Sequence, residues 1–299
     1  MHPRGVARPM TPAARGAAVR RFLRALRIVH PFPTLLNVAA TGALAFVAAG
    51  GAPPPGLLAR LLLVMLLAQC AIGVTNDCCD RDLDAATKPW KPIPAGLVRP
   101  ATAGAQAVAL AAAACALAAT LGAGGLALAA LGLSCGLAYD LWLKRTPFSA
   151  VPFMVAIPTL PLWVWTVLGE WRPALWWLLP LGAPIGLALH LANTLPDIDA
   201  DASQGVRGLA HRLGAARSMA AGWAAFGGAL VLSAAIAPLV NYDLALYVPA
   251  ALAGTACLAA SVLAYALRRD AFALQFGFGL LGAGSAVVAV GWLASVSGR

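Results

Sequence analysis

Residues 56–84 read GLLARLLLVMLLAQCAIGVTNDCCDRDLD, an apolar run that leads directly into four aspartates. The apolar part is long enough to cross a bilayer, because a membrane helix needs about 20 mostly apolar residues. Only 11 of the 299 residues are acidic, so four carboxylates between residues 77 and 84 form an unusual concentration. Ionisable groups in a membrane segment are costly and usually serve a function. This stretch therefore predicts a membrane helix that ends in a functional acidic site.

The rest of the chain has the composition of a polytopic membrane protein. It is 61% hydrophobic and 11% charged, whereas about 25% of the residues in a soluble domain are charged. Membrane segments must satisfy their own backbone hydrogen bonds, so we expect an all-α fold. We predict a basic cytoplasmic tail at residues 1–31 and a single polytopic domain at residues 32–299. The domain has nine predicted membrane helices, at residues 32–50, 56–78, 101–122, 124–142, 149–168, 173–196, 215–237, 244–266 and 272–296.

The basic residues predict the orientation of these helices. Of the 21 lysines and arginines, only Arg60, Arg172 and Arg299 lie on the side opposite the amino-terminal tail. Cytoplasmic loops carry the Lys/Arg excess, so we expect the acidic run to face the cytoplasm, in a bacterial inner membrane. We therefore expect the basic residues, which give the chain its net charge of +10, to face the lipid bilayer as their partner. We expect no nucleic-acid partner, because the basic residues are not interleaved with aromatic ones.

The tail contains a candidate surface helix. Its apolar residues recur at helical spacing, and arginines cover the other face. Such a helix lies on an anionic membrane surface with its apolar face toward the lipid. The apolar face consists of Val19, Phe22, Leu23 and Leu26, and the basic face of Arg20, Arg21, Arg24 and Arg27.

A second acidic run, PDIDAD at residues 196–201, ends the predicted sixth span as the first run ends the second. The two ends emerge on the same side of the membrane, and the two runs hold seven of the 11 acidic residues. At about 100° per residue, helical phase sorts these carboxylates. It groups Asp77, Asp80 and Asp84 on one face and Asp197 with Asp201 on another, while Asp82 and Asp199 point away.

Polar residues continue each acidic face into the membrane. Gln69 and Asn76 lie along the stripe of Asp80, and His190 and Asn193 lie along that of Asp197. Together with Asn37 in the first span, these side chains are candidates for binding the polar part of a substrate. For Asn37, Gln69 and His190, a hydrogen bond to a neighbouring helix is the alternative explanation.

The five convergent carboxylates predict a bound cation. Like charges so close together do not all stay ionised without cations. Ligand sets made only of oxygen favour Mg²⁺ or Ca²⁺, and Mg²⁺ prefers one or two carboxylates together with substrate phosphates. We therefore expect Mg²⁺ and a phosphorylated substrate. A solvated acidic loop explains one such run, but it does not explain two runs with matched phase on the same side.

The two runs resemble the paired signatures of the UbiA superfamily of intramembrane prenyltransferases. The pattern Asn76-Asp77-x-x-Asp80-x-x-x-Asp84, followed by KPWKPIPAG, is similar to the first signature, and PDIDADASQGVRGLAHRLG is similar to the second. The resemblance implies a helical ring around a central cavity, capped by cytoplasmic loops. It implies Mg²⁺-dependent transfer of a prenyl group from an allylic diphosphate to a small aromatic or lipid acceptor. It also implies two metal–diphosphate sites, one formed by Asn76, Asp77, Asp80 and Asp84 and the other by Asp197 and Asp201.

The resemblance also assigns roles to the remaining site residues. Tyr139 and Lys144 are similar to a Tyr–Lys element of the family, although they stand one residue further apart than YxxxK. The catalytic residues would then be Asp77, Asp80, Asp197, Lys144 and Tyr139. Cations beside the motifs would bind the diphosphate, although each is also a plausible anchor for lipid phosphates: Arg81, Lys88, Lys91, Lys144, Arg207 and Arg212.

Two other functions fit parts of the pattern. A terpene cyclase on the same scaffold would use the same aspartates without an acceptor, and polar side chains such as Gln69 and His190 favour transfer over it. An ion-coupled transporter would place its acidic residues at mid-membrane in broken helices, whereas here they lie at helix ends. The segment TKPWKPIPAG is closer to the NKPYRPIPSG-like form of chlorophyll-type and lipid-type members of the family than to the TRxRP form.

Overall fold

The computed structural model describes residues 12–198, 202 and 205–297. In this part of the chain every regular element is helical, and nine helices are long and apolar enough to cross a membrane. The all-α prediction and the nine predicted spans are therefore confirmed. The α-helices are α1 (Pro12–Ala25), α2 (Pro31–Ala48), α3 (Pro55–Cys79), α4 (Arg81–Thr87), α5 (Pro100–Ala119), α6 (Ala123–Leu141), α7 (Val151–Leu168), α8 (Leu178–Thr194), α9 (Leu209–Leu213), α10 (Ala215–Ala235), α11 (Ala237–Val240), α12 (Leu244–Arg268) and α13 (Ala271–Ser297).

The membrane helices pack in chain order and form a closed bundle. Each of them contacts the next one along the chain, and α13 returns to pack against α2 and α8. Prolines at the first turns of α2, α3, α5 and α7 fix the helix starts, where a missing N–H costs nothing. At the end opposite the acidic runs, a core that includes Trp163, Trp165 and Trp292 fills the interior.

The close approach of α7 and α8 depends on two glycines. Gly182 and Gly186 stand four residues apart on α8, facing Pro158 and the backbone of Phe153 on α7. A Cβ atom at either position would overlap these neighbours. Small residues at this spacing let membrane helices pack with their backbones in contact. This packing holds the end of α8 beside the start of α7.

The first acidic run is not one continuous helix, so the prediction of a single helical phase was wrong. Helix α3 ends at Cys79, Asp80 has non-helical angles (φ −98°, ψ 8°), and α4 begins at Arg81. The grouping of the carboxylates nevertheless agrees with the prediction, because Asp77 and Asp84 are buried and the side chain of Asp82 is 93% exposed.

The amino-terminal helix α1 leaves its apolar side chains uncovered. Val19, Phe22, Leu23 and the following Leu26 are all exposed, with Phe22 at 62%. This agrees with the predicted face for lipid contact. The placement of the helix on a membrane surface, and the division of the chain at residue 31, stay predictions.

Candidate active site

The first part of the candidate site is a partly buried lysine that lies between two buried aspartates. Lys91 Nζ lies 2.8 Å from Asp77 Oδ1 and 2.7 Å from Asp84 Oδ2. The side chains of Asp77 and Asp84 are 2% and 4% exposed. His30 Nε2 makes a further contact of 2.9 Å with Asp77 Oδ1. Lys91, predicted as a cation that binds the diphosphate, thus lies in direct contact with the first acidic run, and its role in substrate binding stays a prediction.

The loop KPWKPIPAG places Lys91 by folding into a series of turns. The backbone N–H of Ala95 donates to the carbonyl of Lys91, and that of Leu97 donates to Pro92. Ile93 is buried and packs with Ile28 and Val74, which ties the loop to α3. The apolar anchor lies only two residues from Lys91, so it holds the ammonium group over the end of the membrane helix.

The two carboxylates keep Lys91 charged. Burial by itself lowers the pKa of this lysine, but the hydrogen bonds to Asp77 and Asp84 outweigh it and raise the pKa above its ordinary value of 10.5. The ammonium therefore offsets part of the negative charge of the two aspartates at neutral pH.

A second lysine occupies the other side of the first acidic run. Lys144 Nζ lies 2.7 Å from Asp80 and 3.8 Å from Asp140 Oδ1, and its side chain is only 9% exposed. Asn76 donates to Asp140 at 2.8 Å, and Arg145 approaches Asp80 at 3.7 Å. Helix α6 ends at Leu141, and a 3-10 turn at Leu143–Arg145 carries Lys144 back onto Asp80.

A polar cavity of about 50 Å³ joins this lysine to the end of α8. Asp80 from the first acidic run and Thr194 from the last turn of α8 both line it, so the ends of the second and sixth membrane helices lie together as predicted. Ser149 and His190 are buried there and hydrogen-bonded at 2.9 Å. Its lining consists of Asp80, Leu83, Tyr139, Lys144, Ser149, His190, Thr194, Val206, Gly208 and His211.

The loop that follows the second acidic run closes this cavity at Gly208. A Cβ atom there would lie 2.7 Å from the carbonyl oxygen of Lys144 and 3.0 Å from Ser149 Oγ. Only glycine allows the loop to approach so closely. The next residue, Leu209, donates its N–H to Ser149 Oγ at 2.9 Å.

We expect Gly208→Ala to lower the turnover of an allylic diphosphate by up to about 100-fold, the cost of displacing an active-site group by about 1 Å. The added methyl group would push the loop away from the carbonyl of Lys144, a backbone atom that has little freedom to move. Steady-state rates of the purified variant measure this effect. Gly104→Ala on α5 is the matched control, because a Cβ there meets no atom within 4 Å. Equal rates for the two variants would show that the contact does not matter.

A second, apolar cavity of about 120 Å³ lies along the same helices, closer to the middle of the membrane. Its walls come mainly from α3, α5, α6 and α7. Asn37 and Gln69 lie in its lining, as does Trp163, whose buried indole N–H has no hydrogen-bond partner in the described part of the chain. Asn37 donates to the carbonyl of Pro33, and the Gln69 amide lies 3.7 Å from the Met65 sulfur. The cavity can therefore hold a mainly apolar group next to a few polar atoms.

Three of the predicted cations, all arginines, are exposed. The side chain of Arg81 is 54% exposed and pairs with the exposed Asp82. Arg207 and Arg212 are exposed, and a 3.4 Å hydrogen bond from Arg212 Nε to the carbonyl of Arg207 joins them. Lys88 is half-buried and Asn193 is exposed. Their predicted roles in substrate binding remain predictions.

The second acidic run is described only in part. Asp197 belongs to a 3-10 turn at Leu195–Asp197, which places its backbone next to the last turn of α8. Asp199 and Asp201 lie outside the described residues. The assignment of Asp197 and Asp201 as metal ligands therefore stays a prediction.

The structure adds three residues that the sequence patterns missed. Asp140 faces Asn76 and Lys144, Ser149 contacts His190, and His30 contacts Asp77. Asp140 had a readable signal, because it is an acidic residue within an apolar span, four positions before a lysine. His30 had none, since its position depends on a left-handed backbone (φ 48°) between the turn at Leu26–Val29 and α2.

The donor atoms suit Mg²⁺ only together with a substrate. No group of three or more His, Cys, Asp or Glu side chains among the described residues forms a complete metal site. However, Asp77 Oδ2 and Asp140 Oδ2 are buried and lack hydrogen-bond partners within the described part of the chain. Magnesium commonly takes one or two carboxylates and completes its shell with phosphate oxygens and water. The residues present therefore fit a metal that arrives with a diphosphate.

Comparisons with known sequences agree with this architecture. A family model described as the UbiA prenyltransferase family matches residues 35–281. A protein named digeranylgeranylglyceryl phosphate synthase, from Natronomonas pharaonis, is 33% identical over 188 residues, which are 61% of this chain and 68% of that protein. A protein of the same name from Halobacterium salinarum is 36% identical over 122 residues, covering 41% of this chain and 44% of that protein.

Solved structures share the fold at low sequence identity. A structure described as giving insights into digeranylgeranylglyceryl phosphate synthase in membranes has a TM-score of 0.73 and 12% identity, covering 94% of this chain and all of that one. A UbiA homologue from Archaeoglobus fulgidus bound to GPP and Mg²⁺ has a TM-score of 0.70 and 16% identity, covering 91% of this chain and 99% of that one.

Proposed function

Because the chain belongs to the UbiA prenyltransferase family, we propose that it transfers a prenyl group from an allylic diphosphate to a hydroxyl of a glycerol-phosphate lipid, with Mg²⁺. One observation carries the proposal. The buried Lys144 and the partly buried Lys91 contact the aspartates of the first acidic run, and an apolar cavity lies further along the same helices. The charged side chains could bind a diphosphate at the membrane surface, and the apolar cavity could hold its prenyl tail.

The chain's own residues would bind and orient the donor. Asp77, Asp80 and Asp84 would hold Mg²⁺ in the first half of the site, and Asp197 and Asp201 would hold it in the second. When bound, Mg²⁺ neutralises the charge of a diphosphate and so makes it a better leaving group.

The lysines would then act on the diphosphate itself. Lys91 and Lys144 are within reach of the same acidic run, so each would exchange carboxylate oxygens for phosphate oxygens as the donor enters. Preorganised positive charge of this kind stabilises the charge that develops on a leaving group. The apolar cavity would exclude water from the allylic cation.

The acceptor follows from the relatives and from the cavities. The name digeranylgeranylglyceryl phosphate describes a glycerol phosphate that bears two prenyl groups, so its synthase attaches a prenyl group to a glycerol lipid. The polar side chains in both cavities support an acceptor with polar atoms, and so favour transfer over cyclisation. The mainly apolar walls favour a lipid over a small aromatic acid.

The site would open toward the cytoplasm, because the basic loops surround it. Ala85→Cys, at an exposed position of α4, should react with a membrane-impermeant maleimide only from the cytoplasmic side, in a protein whose native cysteines have been replaced. Gly51→Cys, in the first loop on the opposite side, should react only from outside. The reverse pattern would contradict the orientation.

A product assay tests the proposed function. Purified protein is incubated with Mg²⁺ and geranylgeranyl diphosphate, with a monoprenylated glycerol phosphate or a panel of aromatic acids, and the products are identified by mass spectrometry. We expect a diprenylated glycerol phosphate, and none after EDTA is added. A prenylated aromatic acid as the main product, or a cyclic hydrocarbon formed without acceptor, would overturn the proposal.

A further inference from the structure

His190 is a buried histidine with one ring nitrogen held and the other without a partner. It is 1% exposed, and its Nε2 lies 2.9 Å from Ser149 Oγ. Its Nδ1 is buried and has no hydrogen-bond partner in the described part of the chain. A buried polar atom that stays unpaired destabilises the folded protein, because it has lost its hydrogen bonds to water. A ligand that hydrogen-bonds to Nδ1 would remove this cost.

The orientation of the imidazole is fixed from several elements. Ser149 Oγ accepts the N–H of Leu209 at 2.9 Å and stands just before α7. The Tyr139 ring meets the His190 ring edge-on at 5.8 Å between centroids, and Phe153 lies at 5.1 Å. In the tautomer in which Nε2–H donates to Ser149 Oγ, Nδ1 carries a free lone pair. Helices α6, α7, α8 and α9 thus hold a preoriented proton acceptor.

This histidine lines the same polar cavity as Asp80 and Lys144. Those two residues contact each other and, in the proposed function, the diphosphate of the donor. An acceptor group in this cavity would therefore lie next to the bond that breaks. A neutral imidazole placed there can accept a proton from the acceptor group.

Resting on the proposed function, we propose that His190 is the general base for the acceptor. The acceptor's hydroxyl oxygen forms a bond to the allylic carbon, and the bond from that carbon to the diphosphate oxygen breaks. The hydroxyl proton passes to His190 Nδ1, and the bonding electrons leave with the diphosphate. Ser149 acts as a positioning residue, because it holds Nε2 and so selects the tautomer.

His211 is the other histidine of the cavity. Its two ring nitrogens are also buried without partners in the described part of the chain. Its ring therefore lacks, among the described residues, a hydrogen bond like the one from Ser149 that orients His190, and His190 is the better oriented base. His211→Gln separates the two candidates.

The test compares two nucleophiles in the same enzyme. The probes are a monoprenylated glycerol phosphate and its analogue with a thiol in place of the accepting hydroxyl. A thiol has a pKa of about 8.5 and ionises far more readily than an alcohol, so it needs less help from a base. We expect His190→Gln to slow transfer to the alcohol by about 100-fold or more, the usual contribution of a general base. Transfer to the thiol should fall by less than about 5-fold on the same grounds.

Three further variants complete the experiment. Ser149→Ala should also slow transfer to the alcohol more than transfer to the thiol, but by a smaller ratio. His211→Gln should not change the ratio of the two rates. Ser233→Ala is the matched control, because it removes another buried hydroxyl that hydrogen-bonds a ring residue, Tyr247, at the far end of α10. Binding of geranylgeranyl diphosphate should be unchanged in all four variants, which shows that they fold.

Each alternative outcome is distinct. The role of His190 would be overturned if His190→Gln slowed transfer to alcohol and thiol equally, or slowed neither. It would also be overturned if His211→Gln, and not His190→Gln, slowed transfer to the alcohol more than transfer to the thiol. If the wild-type protein itself does not prenylate the glycerol lipid, the proposed function fails and this inference fails with it.

Discussion

Replacing Asp77 with asparagine should lower the turnover of an allylic diphosphate by about 10³-fold, the upper range for loss of one preorganised electrostatic group. The substitution keeps the shape of the side chain but removes its charge. Asp77 has one oxygen in contact with both His30 and Lys91, and its other oxygen is buried and unpaired within the described part of the chain. It is therefore the carboxylate best prepared to receive a metal that arrives with its substrate. Single-turnover rates at saturating Mg²⁺ measure the effect.

The same run supplies a matched control for this variant. Asp82→Asn removes the same charge only five residues away, from a side chain that is 93% exposed. We expect Asp82→Asn to retain the wild-type rate, because an exposed carboxylate paired with Arg81 is well solvated. Comparable losses in both variants would mean that net charge near the membrane matters and that a specific site does not.

Replacing Lys91 with methionine should cause the largest loss of stability, about 3–5 kcal/mol in the free energy of unfolding. The change leaves Asp77 and Asp84 buried beside each other with no ammonium between them. Because the pKa of Lys91 is raised in the folded protein, its stabilising effect is complete below the ordinary value of 10.5. It is lost only as the pH rises through the higher folded-state pKa. Denaturation in detergent at neutral pH therefore measures the full effect.

Two further variants show whether burial causes this loss. Arg268→Met removes a cation from the ion pair with Asp270, in which both side chains are about half exposed, and should leave stability almost unchanged. Asp84→Asn combined with Lys91→Met should recover part of the lost stability, because it removes one of the two carboxylates that have lost their contact with the ammonium. If Lys91→Met is as stable as Arg268→Met, the ion pairs of Lys91 with the buried aspartates do not stabilise the site.

The membrane helices and the position of the site follow from local sequence. An apolar span such as residues 56–78 satisfies its own hydrogen bonds, so its helix does not depend on distant partners. The acidic residues at the ends of the second and sixth spans could be placed on one side by counting helices. The structure agrees in placing Asp80 and Thr194 around one cavity.

The contacts within the site could not be predicted, because they join residues far apart in the chain. Lys144 reaches Asp80 across 64 positions and His30 reaches Asp77 across 47. Lys91 and Lys144, and not Arg81, contact the inward-facing aspartates because of the helix break at Asp80 and the loop turns anchored by Ile93. A calculation of helical phase assumes one continuous helix, so it could not predict the helix break or the loop turns.

The most direct test of the proposed site is whether the chain binds an allylic diphosphate through a divalent metal at the first acidic run. Isothermal titration with a non-hydrolysable thiolo analogue of geranylgeranyl diphosphate measures binding without turnover. We expect the affinity to fall by about 100-fold or more when Mg²⁺ is replaced by EDTA, and to a similar extent in Asp77→Asn, since a lost charge-assisted contact costs about 3 kcal/mol. Equal affinity with Mg²⁺ and with EDTA, or unchanged affinity in Asp77→Asn, would contradict a metal-dependent site at these aspartates.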